Sequence, residues 1–316
     1  MDAARDLFEP LPAAPIFKGV NPANDAKIEL GKMLYFETRL SKSNAFSCNS
    51  CHNLANGGVD NNPFSIGHQW QVGGRNAPTV FNASLHIAQF WDGRAADVEA
   101  QAVGPELNPV EMGSTEKLVM DRLSSIPAYV ALFKKAFPEQ KKPMVYANVG
   151  NAIGAFERTL LTPSPFDAYL KGDDKALSSQ AKKGLVLFMD KGCSNCHNGV
   201  AVGGNSYQKF GMVNAPKDLK DKGRMEVTKT EEDAFVFKVP SLRNIELTYP
   251  YFHDSRTWDL SEAVRIMGWT QLGVKLADAE VGDIVAFLRS LTGTAPVVTL
   301  PVLPPSTPAT PLPDRN

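Results

Sequence analysis

The residues of this sequence most able to do chemistry are its cysteines and histidines. All four cysteines lie in two copies of the pattern Cys-x-x-Cys-His, formed by Cys48, Cys51 and His52 and by Cys193, Cys196 and His197. Two thiols on one helical turn can form thioether bonds to the vinyl groups of a haem, and the adjacent histidine can ligate its iron. One copy alone could be a redox dithiol or half of a zinc site. Two copies leave no other cysteine for a disulfide or a four-ligand zinc site, so we predict two covalent haem c groups.

Similar helical patterns surround the two attachment sites. Apolar residues at helical spacing predict helices over 26–36 and 179–189, ahead of the sites, and closing helices over 145–160 and 284–291. Residues 236–239 are the best candidate for a short strand. The sequence therefore predicts a mainly α fold of two cytochrome c-like domains, with long loops and little strand.

Prolines place the domain boundaries. Pro163 and Pro165 stop the helix that closes the first domain, and proline recurs throughout the chain after Gly293. We expect an N-terminal haem domain over residues 17–163 and a C-terminal haem domain over residues 164–294. Residues 295–316 should form an extended tail that cannot be helical.

Composition excludes several classes of partner. The chain has 316 residues and a formal net charge of -1, without a basic run, so nucleic acid and anionic membranes are poor candidates. No apolar run is long enough for a transmembrane helix. The start lacks a signal core, so the chain is either cytoplasmic or a mature form whose export signal an initiator Met replaced. Haem is attached outside the bacterial cytoplasm, so we expect the periplasm.

The second axial ligand decides what each iron does. An iron with two strong protein ligands passes electrons, whereas one with an open position can do chemistry. His68, His86 and His253 are the histidines left over. Met267 lies where a cytochrome c domain supplies its sixth ligand, but its apolar neighbours make a core methionine equally compatible with the pattern.

Longer motifs carry a resemblance to a known family. From Lys27 to Gly293 the chain resembles the bacterial dihaem cytochrome c peroxidases. The motifs that carry it, in order, are Arg75–Asn82, Gln89–Ala95, Pro109–Met112, Val239–Asn244 and Tyr251–Asp254. The resemblance implies an enzyme that reduces hydrogen peroxide to water with electrons from a small redox protein, either a cytochrome c or a blue copper protein.

The resemblance also assigns the iron ligands. The N-terminal haem would be peroxidatic, with His52 as its proximal ligand and His68 as the distal ligand of the resting enzyme. Reduction of the C-terminal haem, held by His197 and Met267, would shift the His68 loop and open the site. In the related dihaem enzyme that matures methylamine dehydrogenase a tyrosine replaces this methionine, so Met267 favours a peroxidase.

Three further residues match catalytic positions of the family. Glu111 would be the distal acid/base that moves a proton between the peroxide oxygens, Gln101 the amide beside it, and Trp91 the electron relay between the haems. Each also has an ordinary interpretation, because single Glu and Gln side chains are usually on the surface and Trp91 could be a core residue.

The resemblance also implies a calcium ion and a dimer, and this sequence differs from the family pattern at two positions. Asn76 would bind calcium through its side chain and Thr248 and Pro250 through their carbonyls, as suits a hard cation. Members are commonly homodimers. His253 matches a histidine that hydrogen-bonds a haem propionate. Two positions depart from the pattern. His86, where Asn is common, is expected to be a loop histidine, and Ser255 replaces a glycine of the local turn.

Two other functions remain open at this point. A pure electron carrier would keep both irons six-coordinate, and a dihaem oxidase would act on a protein or organic substrate. Spectroscopy after half-reduction distinguishes the carrier, because only a peroxidase should develop a high-spin, ligand-accessible haem.

Overall fold

The computed structural model describes residues 2–17 and 21–316, so positions 18–20 of the first predicted domain lie outside the described residues. The predicted mainly α fold is confirmed, because helices dominate and the two strands are short. The helices are α1 (Asp2–Arg5), α2 (Asp25–Tyr35), α3 (Cys48–Cys51), α4 (Val98–Ala102), α5 (Gly104–Leu107), α6 (Glu116–Ser124), α7 (Pro127–Ala136), α8 (Tyr146–Glu157), α9 (Pro165–Leu170), α10 (Ser179–Asp190), α11 (Met225–Thr228), α12 (Leu260–Leu272) and α13 (Asp278–Arg289). Strands β1 (Tyr207–Lys209) and β2 (Val236–Lys238) pair antiparallel, with Tyr207 opposite Lys238.

The chain forms two compact units that are discontinuous in sequence. We call the first the His52 unit; it contains Ala14–Ser84, Asp97–Leu160 and Pro296–Asn316. The second, the His197 unit, contains Leu85–Ala96, Leu161–Ala295 and the described residues up to Ala13. The sequence instead predicts one continuous domain on each side of residue 163, followed by the tail over 295–316. The difference arises because two segments, Leu85–Ala96 and the tail, pack on the unit that is remote from them in sequence.

Helices α2 and α8 form the centre of the His52 unit. The Asn24 side chain caps α2 by accepting the Lys27 N–H at 2.8 Å. Helix α2 then buries Leu30 and Leu34 against α8. Gly31 sits at the crossing, where a Cβ would lie 1.8 Å from the Ala152 carbonyl oxygen. Only glycine therefore allows this helix–helix distance.

Helices α10 and α13 repeat this arrangement in the His197 unit. The Ser178 side chain caps α10, and Leu185 and Phe188 are buried with the α13 residue Phe287. At the crossing, a Cβ at Gly184 would lie 1.8 Å from the Asp283 carbonyl oxygen. Each unit thus brings two helices together at a glycine.

The proline-rich tail is bound along the His52 unit. Arg122 is fully buried and donates to the carbonyls of Pro311 and Leu312, at 3.3 and 3.0 Å. The same guanidinium donates to three carbonyls of the loop that precedes the first attachment site, those of Arg39, Ser41 and Lys42. Residues 295–316 contain no helix. Among the described residues, no helix is both long and apolar enough to cross a membrane.

Candidate functional site

The first attachment motif forms a single helical turn. Helix α3 spans Cys48 to Cys51, and the His52 N–H donates to the Cys48 carbonyl at 2.9 Å. Ser50 supports the start of the turn, because its hydroxyl accepts the Ser47 N–H at 2.9 Å. The two cysteines do not form a disulfide with each other, and burial raises the pKa of the Cys51 thiol to about 11. Two sulfurs on one turn suit thioether attachment.

The second motif reaches the same geometry through a tighter turn. Cys193–Asn195 is a 3-10 turn that follows Gly192, whose φ of 91° is left-handed. The His197 N–H donates to the Cys193 carbonyl at 3.0 Å. Cys193 packs on the core of its unit, as Cys48 does on the core of the other.

The two motif histidines are held as neutral imidazoles. Burial lowers the pKa of His52, opposed by the charge of Asp60 and by the carbonyls of Pro78 and Gly58. The Nδ1 atom of His52 is buried and has no hydrogen-bond partner of normal geometry. A neutral imidazole is the form that ligates metals, and a nearby carbonyl favours a proton on Nδ1, which leaves Nε2 for the iron.

His197 has an equivalent environment. Burial lowers the pKa of His197 to about 4, opposed by the carbonyls of Pro240 and Val202. Gly203 makes room for this approach, because a Cβ there would lie 2.2 Å from the Pro240 oxygen and 3.2 Å from His197 Nδ1. The donor sets in both units therefore fit a covalent haem.

His68 and Glu111, which are distant in sequence, lie on adjoining loops of the His52 unit. The His68 N–H donates to the Glu111 carbonyl at 2.7 Å, and the buried His68 Nδ1 has no partner. Gly67 and Gly113 allow the close contact: a Cβ at Gly67 would lie 2.2 Å from the Val110 oxygen, and one at Gly113 2.7 Å from His68 Cδ2. The structure thus brings together the two residues expected on the distal side of the first haem.

The Glu111 carboxylate is oriented by its own loop. Asn108 Nδ2 donates to Glu111 Oε1 at 2.7 Å, and the Glu111 N–H donates to the Asn108 carbonyl at 3.0 Å. Gln101 lies in the same unit, partly buried at the end of α4. Met267 lies on α12 in the His197 unit; it is half-buried and outside the cluster of core side chains among the described residues.

Trp91 belongs to an aromatic cluster in the His197 unit. Its ring centroid lies 6.0 Å from that of His253, which stacks on Phe237 at 4.1 Å. The Trp91 carbonyl accepts the Lys238 N–H at 2.8 Å. His253 is buried, with 4% of its surface exposed. The cluster fixes the tryptophan on the unit that carries the second attachment motif.

The two departures from the family pattern have defined local structures. His86 packs beside Gly204, with its Nε2 atom buried and unpartnered. Burial, with a smaller contribution from Lys238, lowers the pKa of His86 well below its usual value. Ser255 has a φ of 55°, so the turn keeps the left-handed conformation expected of glycine.

The residues expected to bind calcium are divided between the units. Asn76 is buried in the His52 unit and donates to the Asn62 carbonyl at 3.0 Å. Thr248 and Pro250 belong to the His197 unit. Within the described ranges there is no group of three or more His, Cys, Asp or Glu that could hold a metal ion. Calcium therefore stays a prediction.

A repeat that the sequence analysis missed supplies the carbonyls facing the histidines. Five residues recur at a constant offset: Pro78, Asn82, Phe90, Asp92 and Arg94 match Pro240, Asn244, Phe252, Asp254 and Arg256. Asn82 and Asn244 have left-handed φ values of 60° and 62°. The Asn82 N–H donates to the Leu160 carbonyl after α8, and the Asn244 N–H donates to the Leu291 carbonyl after α13. A search for internal repeats would have found this signal.

Comparisons with known proteins agree with the two-unit plan. A family model described as di-haem cytochrome c peroxidase matches residues 25–175, and a cytochrome c model matches residues 181–292. Cytochrome c551 peroxidase of Pseudomonas aeruginosa is 54% identical over 317 residues, covering 99% of this chain and 92% of the relative. That of Nitrosomonas europaea is 52% identical over 303 residues, covering 95% of this chain and 90% of the relative.

A solved structure has the same fold. The crystal structure of a MauG-like protein associated with microbial copper homeostasis superposes with a TM-score of 0.79 at 27% identity, covering 90% of this chain and 95% of that chain. Because the sequence identities extend over nearly the whole chain and both attachment turns have the required form, this protein belongs to the dihaem cytochrome c peroxidase family.

Proposed function

We propose that this protein reduces hydrogen peroxide to water with electrons from a small c-type cytochrome, with a blue copper protein as the alternative donor. Peroxide is reduced in the His52 unit, and electrons enter through the His197 unit. When bound, the haems supply an iron that binds peroxide in the first unit and an iron that passes electrons in the second. The observation that carries the proposal is the direct backbone bond between the loops of His68 and Glu111.

Each unit holds its haem through a matched set of side chains. Cys48, Cys51 and His52 would hold the first haem. Cys193, Cys196, His197 and Met267 would hold the second haem, and the Met267 thioether would raise the potential of its iron.

Glu111 moves the proton that O–O cleavage requires. Heterolysis transfers a proton from the near oxygen of peroxide to the departing one, and a positioned carboxylate does this. Asn108 holds the Glu111 carboxylate at 2.7 Å, which supports a fixed orientation. Gln101 hydrogen-bonds the peroxide from α4.

His68 closes the peroxide site in the resting protein. Its loop contains two consecutive non-glycine residues with left-handed φ, Gln69 at 58° and Trp70 at 61°. Such residues cost energy that the surrounding packing must supply. We therefore place the opening of the peroxide site in this loop, and Trp91 would relay electrons to the haem of the His52 unit.

Four further assignments rest on the resemblance. The protein works in the periplasm, where c-type haems are attached. It forms a homodimer. Asn76, Thr248 and Pro250 bind calcium through oxygen atoms, as this cation prefers. His253 hydrogen-bonds a haem propionate.

The Glu111→Gln variant tests the proposed function. The amide keeps the shape of the side chain but cannot move a proton, so kcat for peroxide should fall by about 10²–10⁴-fold with both haems attached. Glu116→Gln, an exposed residue at the start of α6, is the matched control and should retain wild-type turnover. Full turnover by Glu111→Gln would remove Glu111 from the mechanism.

Half-reduction separates the enzyme from an electron carrier. Reduction by one electron equivalent should produce a high-spin haem that binds small ligands, visible by absorption and electron paramagnetic resonance. A protein in which both haems stay low-spin, with no peroxide turnover, would instead be an electron carrier.

A further inference from the structure

A second carboxyl group of the His52 unit is completely buried beside the Glu111 loop. Glu106 lies on α5 with none of its surface exposed, and neither carboxyl oxygen has a hydrogen-bond partner of normal geometry. The Ser114 hydroxyl is buried and unpartnered too. The Ser114 N–H donates to the Glu106 carbonyl at 2.8 Å, which closes the segment containing Glu111 into a compact loop.

Burial favours the protonated form of Glu106. Burial raises the pKa of Glu106 to about 8, opposed by the Tyr146 hydroxyl. An ionised carboxylate with no partner is costly in a protein interior, so the neutral acid is the favoured form. The titratable side chains that face it are Tyr146 on α8 and Cys48 on α3.

One polar side chain, Tyr146, faces this acid. Tyr146 is only partly buried, and its hydroxyl donates to the Val103 carbonyl at 3.1 Å while facing the Glu106 carboxyl. A hydroxyl both donates and accepts, so it is able to pass a proton to a carboxyl group. The buried acid is therefore next to a partly exposed residue that can transfer protons.

Glu106 and Glu111 act on the same attachment turn. Burial raises the pKa of Cys48, and the charges of Glu157 and Glu106 add to this effect. For Cys51, burial is again the main cause, and Glu111 is among the charges that add to it. The carboxyl groups of Glu106 and Glu111 thus lie near Cys48 and Cys51, the two cysteines that attach the first haem.

The reaction needs protons that Glu111 does not supply. Hydrogen peroxide, two electrons and two protons give two molecules of water. Glu111 moves a proton from one peroxide oxygen to the other, which leaves the number of protons in the site unchanged. The peroxide and the electrons come with the proposed activity, and both protons must be brought in from solvent.

We propose that Glu106 delivers these protons, receiving them from solvent through Tyr146 and passing them by way of the Ser114 hydroxyl to the Glu111 side of the peroxide site. This inference rests on the proposed function and adds a proton route to it. Glu106 does not touch peroxide and acts through Glu111. Each turnover draws two protons along the route, and solvent reprotonates Glu106 after each transfer.

Glu106→Gln tests the proposal, and Glu157→Gln is its matched control. Glu157 is also buried, and burial raises its pKa to about 8, with Glu99 adding to the effect and Arg158 opposing it. It lies at the end of α8, outside the segment that contains Glu106 and Glu111. The two variants remove the same kind of buried acid from different places.

We expect Glu106→Gln to lower kcat at least about tenfold, with KM for peroxide unchanged and a larger solvent deuterium isotope effect. Glu157→Gln should keep the wild-type isotope effect and pH profile. Without turnover, infrared spectra of the Glu157→Gln holoprotein, which lacks the other buried acid, should show a protonated-carboxyl band that disappears as the pH rises through about 8. The Glu106→Gln/Glu157→Gln double variant should lack it.

Other outcomes separate the possible failures. Peroxide turnover by the wild type would overturn the proton route alone if Glu106→Gln kept an unchanged isotope effect and the double variant kept the infrared band. Absence of turnover in the wild type would overturn the proposed function, while the infrared result would still report whether Glu106 is protonated. If Glu106→Gln does not retain both haems, Tyr146→Phe should show a smaller change in the same direction, and an unchanged isotope effect there would overturn the route.

Discussion

In the His52 unit the carbonyl of Pro78 faces the imidazole of His52, and in the His197 unit the carbonyl of Pro240 faces His197. In both cases the chain goes on to an asparagine with left-handed φ, Asn82 or Asn244. Both units therefore orient the motif histidine with a backbone carbonyl. The units differ in their other residues: the His52 unit has the joined loops of His68 and Glu111, whereas the His197 unit has Met267 on a regular helix.

The repeat continues beyond the two asparagines into a second pair of loops with the same backbone conformation. Phe90 and Phe252 both have left-handed φ, and an ion pair follows in each loop, Asp92–Arg94 or Asp254–Arg256. Between these shared features stands Trp91 in one copy and His253 in the other. The two copies thus share their turns and their ion pair and differ in the aromatic side chain that stands between them.

The largest effect is expected from the buried arginines, which the two units use differently. Arg243 donates to both oxygens of Asp167 at 2.9 Å, whereas the acceptors of Arg122 are backbone carbonyls. Arg243→Met would leave the Asp167 carboxylate buried without its cation, at a cost of about 3–5 kcal/mol. Arg122→Met should cost less, about 1–3 kcal/mol, since neutral carbonyls lose less than an ion. Denaturant unfolding of the holoprotein measures both losses, and equal losses would contradict this distinction.

The pH dependence of stability provides a control for the Arg243→Met variant. Burial alone would raise the pKa of Asp167, but the hydrogen bonds and charge of Arg243 outweigh it, and the folded pKa lies below 3.8. A depressed carboxyl pKa contributes stability that is present above the unfolded value and is lost as the pH falls through the folded value. Wild-type stability should therefore decrease below about pH 4. Arg243→Met should lose this contribution, and an unchanged acid profile would show that Arg243 does not stabilise the charge.

Intermediate effects of similar size are expected from the glycines at the two helix crossings. A Cβ at Gly31 or Gly184 would meet a backbone carbonyl at 1.8 Å, which cannot move aside as a side chain does. Each alanine variant should lose about 1–3 kcal/mol in denaturant unfolding. Gly282→Ala on α13 is the control, because the nearest atom lies 4.0 Å away, and it should be neutral or slightly stabilising. A large difference between Gly31→Ala and Gly184→Ala would mean that the crossings are not equivalent.

The smallest effect tests the turn of the repeat. Gly93 and Ser255 occupy the same position with φ values of 69° and 55°. Ser255→Gly should relieve left-handed strain and raise stability by less than about 1 kcal/mol. Gly93→Ser should be destabilising, because a Cβ would lie 2.0 Å from the Tyr207 hydroxyl. Thermal unfolding of both variants measures the contrast. A loss of stability in Ser255→Gly would show that the serine side chain stabilises the turn.

Periodicity located the paired helices well because a helix buries one face at a fixed spacing. Residues predicted as 26–36 and 179–189 form α2 (Asp25–Tyr35) and α10 (Ser179–Asp190), and the predicted strand over 236–239 contains β2. The discontinuity of the units was missed, since no local pattern reports that Leu85–Ala96 packs on a distant part of the chain. Glu106 was missed because a single glutamate usually lies on the surface.

The sequence by itself determined the covalent chemistry, because two thiols and an imidazole within one turn need no tertiary contact to be brought together. Only the tertiary structure decided what surrounds each imidazole. The carbonyls that face His52 and His197, the loops that join His68 to Glu111 and the burial of Glu106 all depend on segments far apart in the chain. Desolvation and hydrogen bonding act through space, and these set the protonation state of each group.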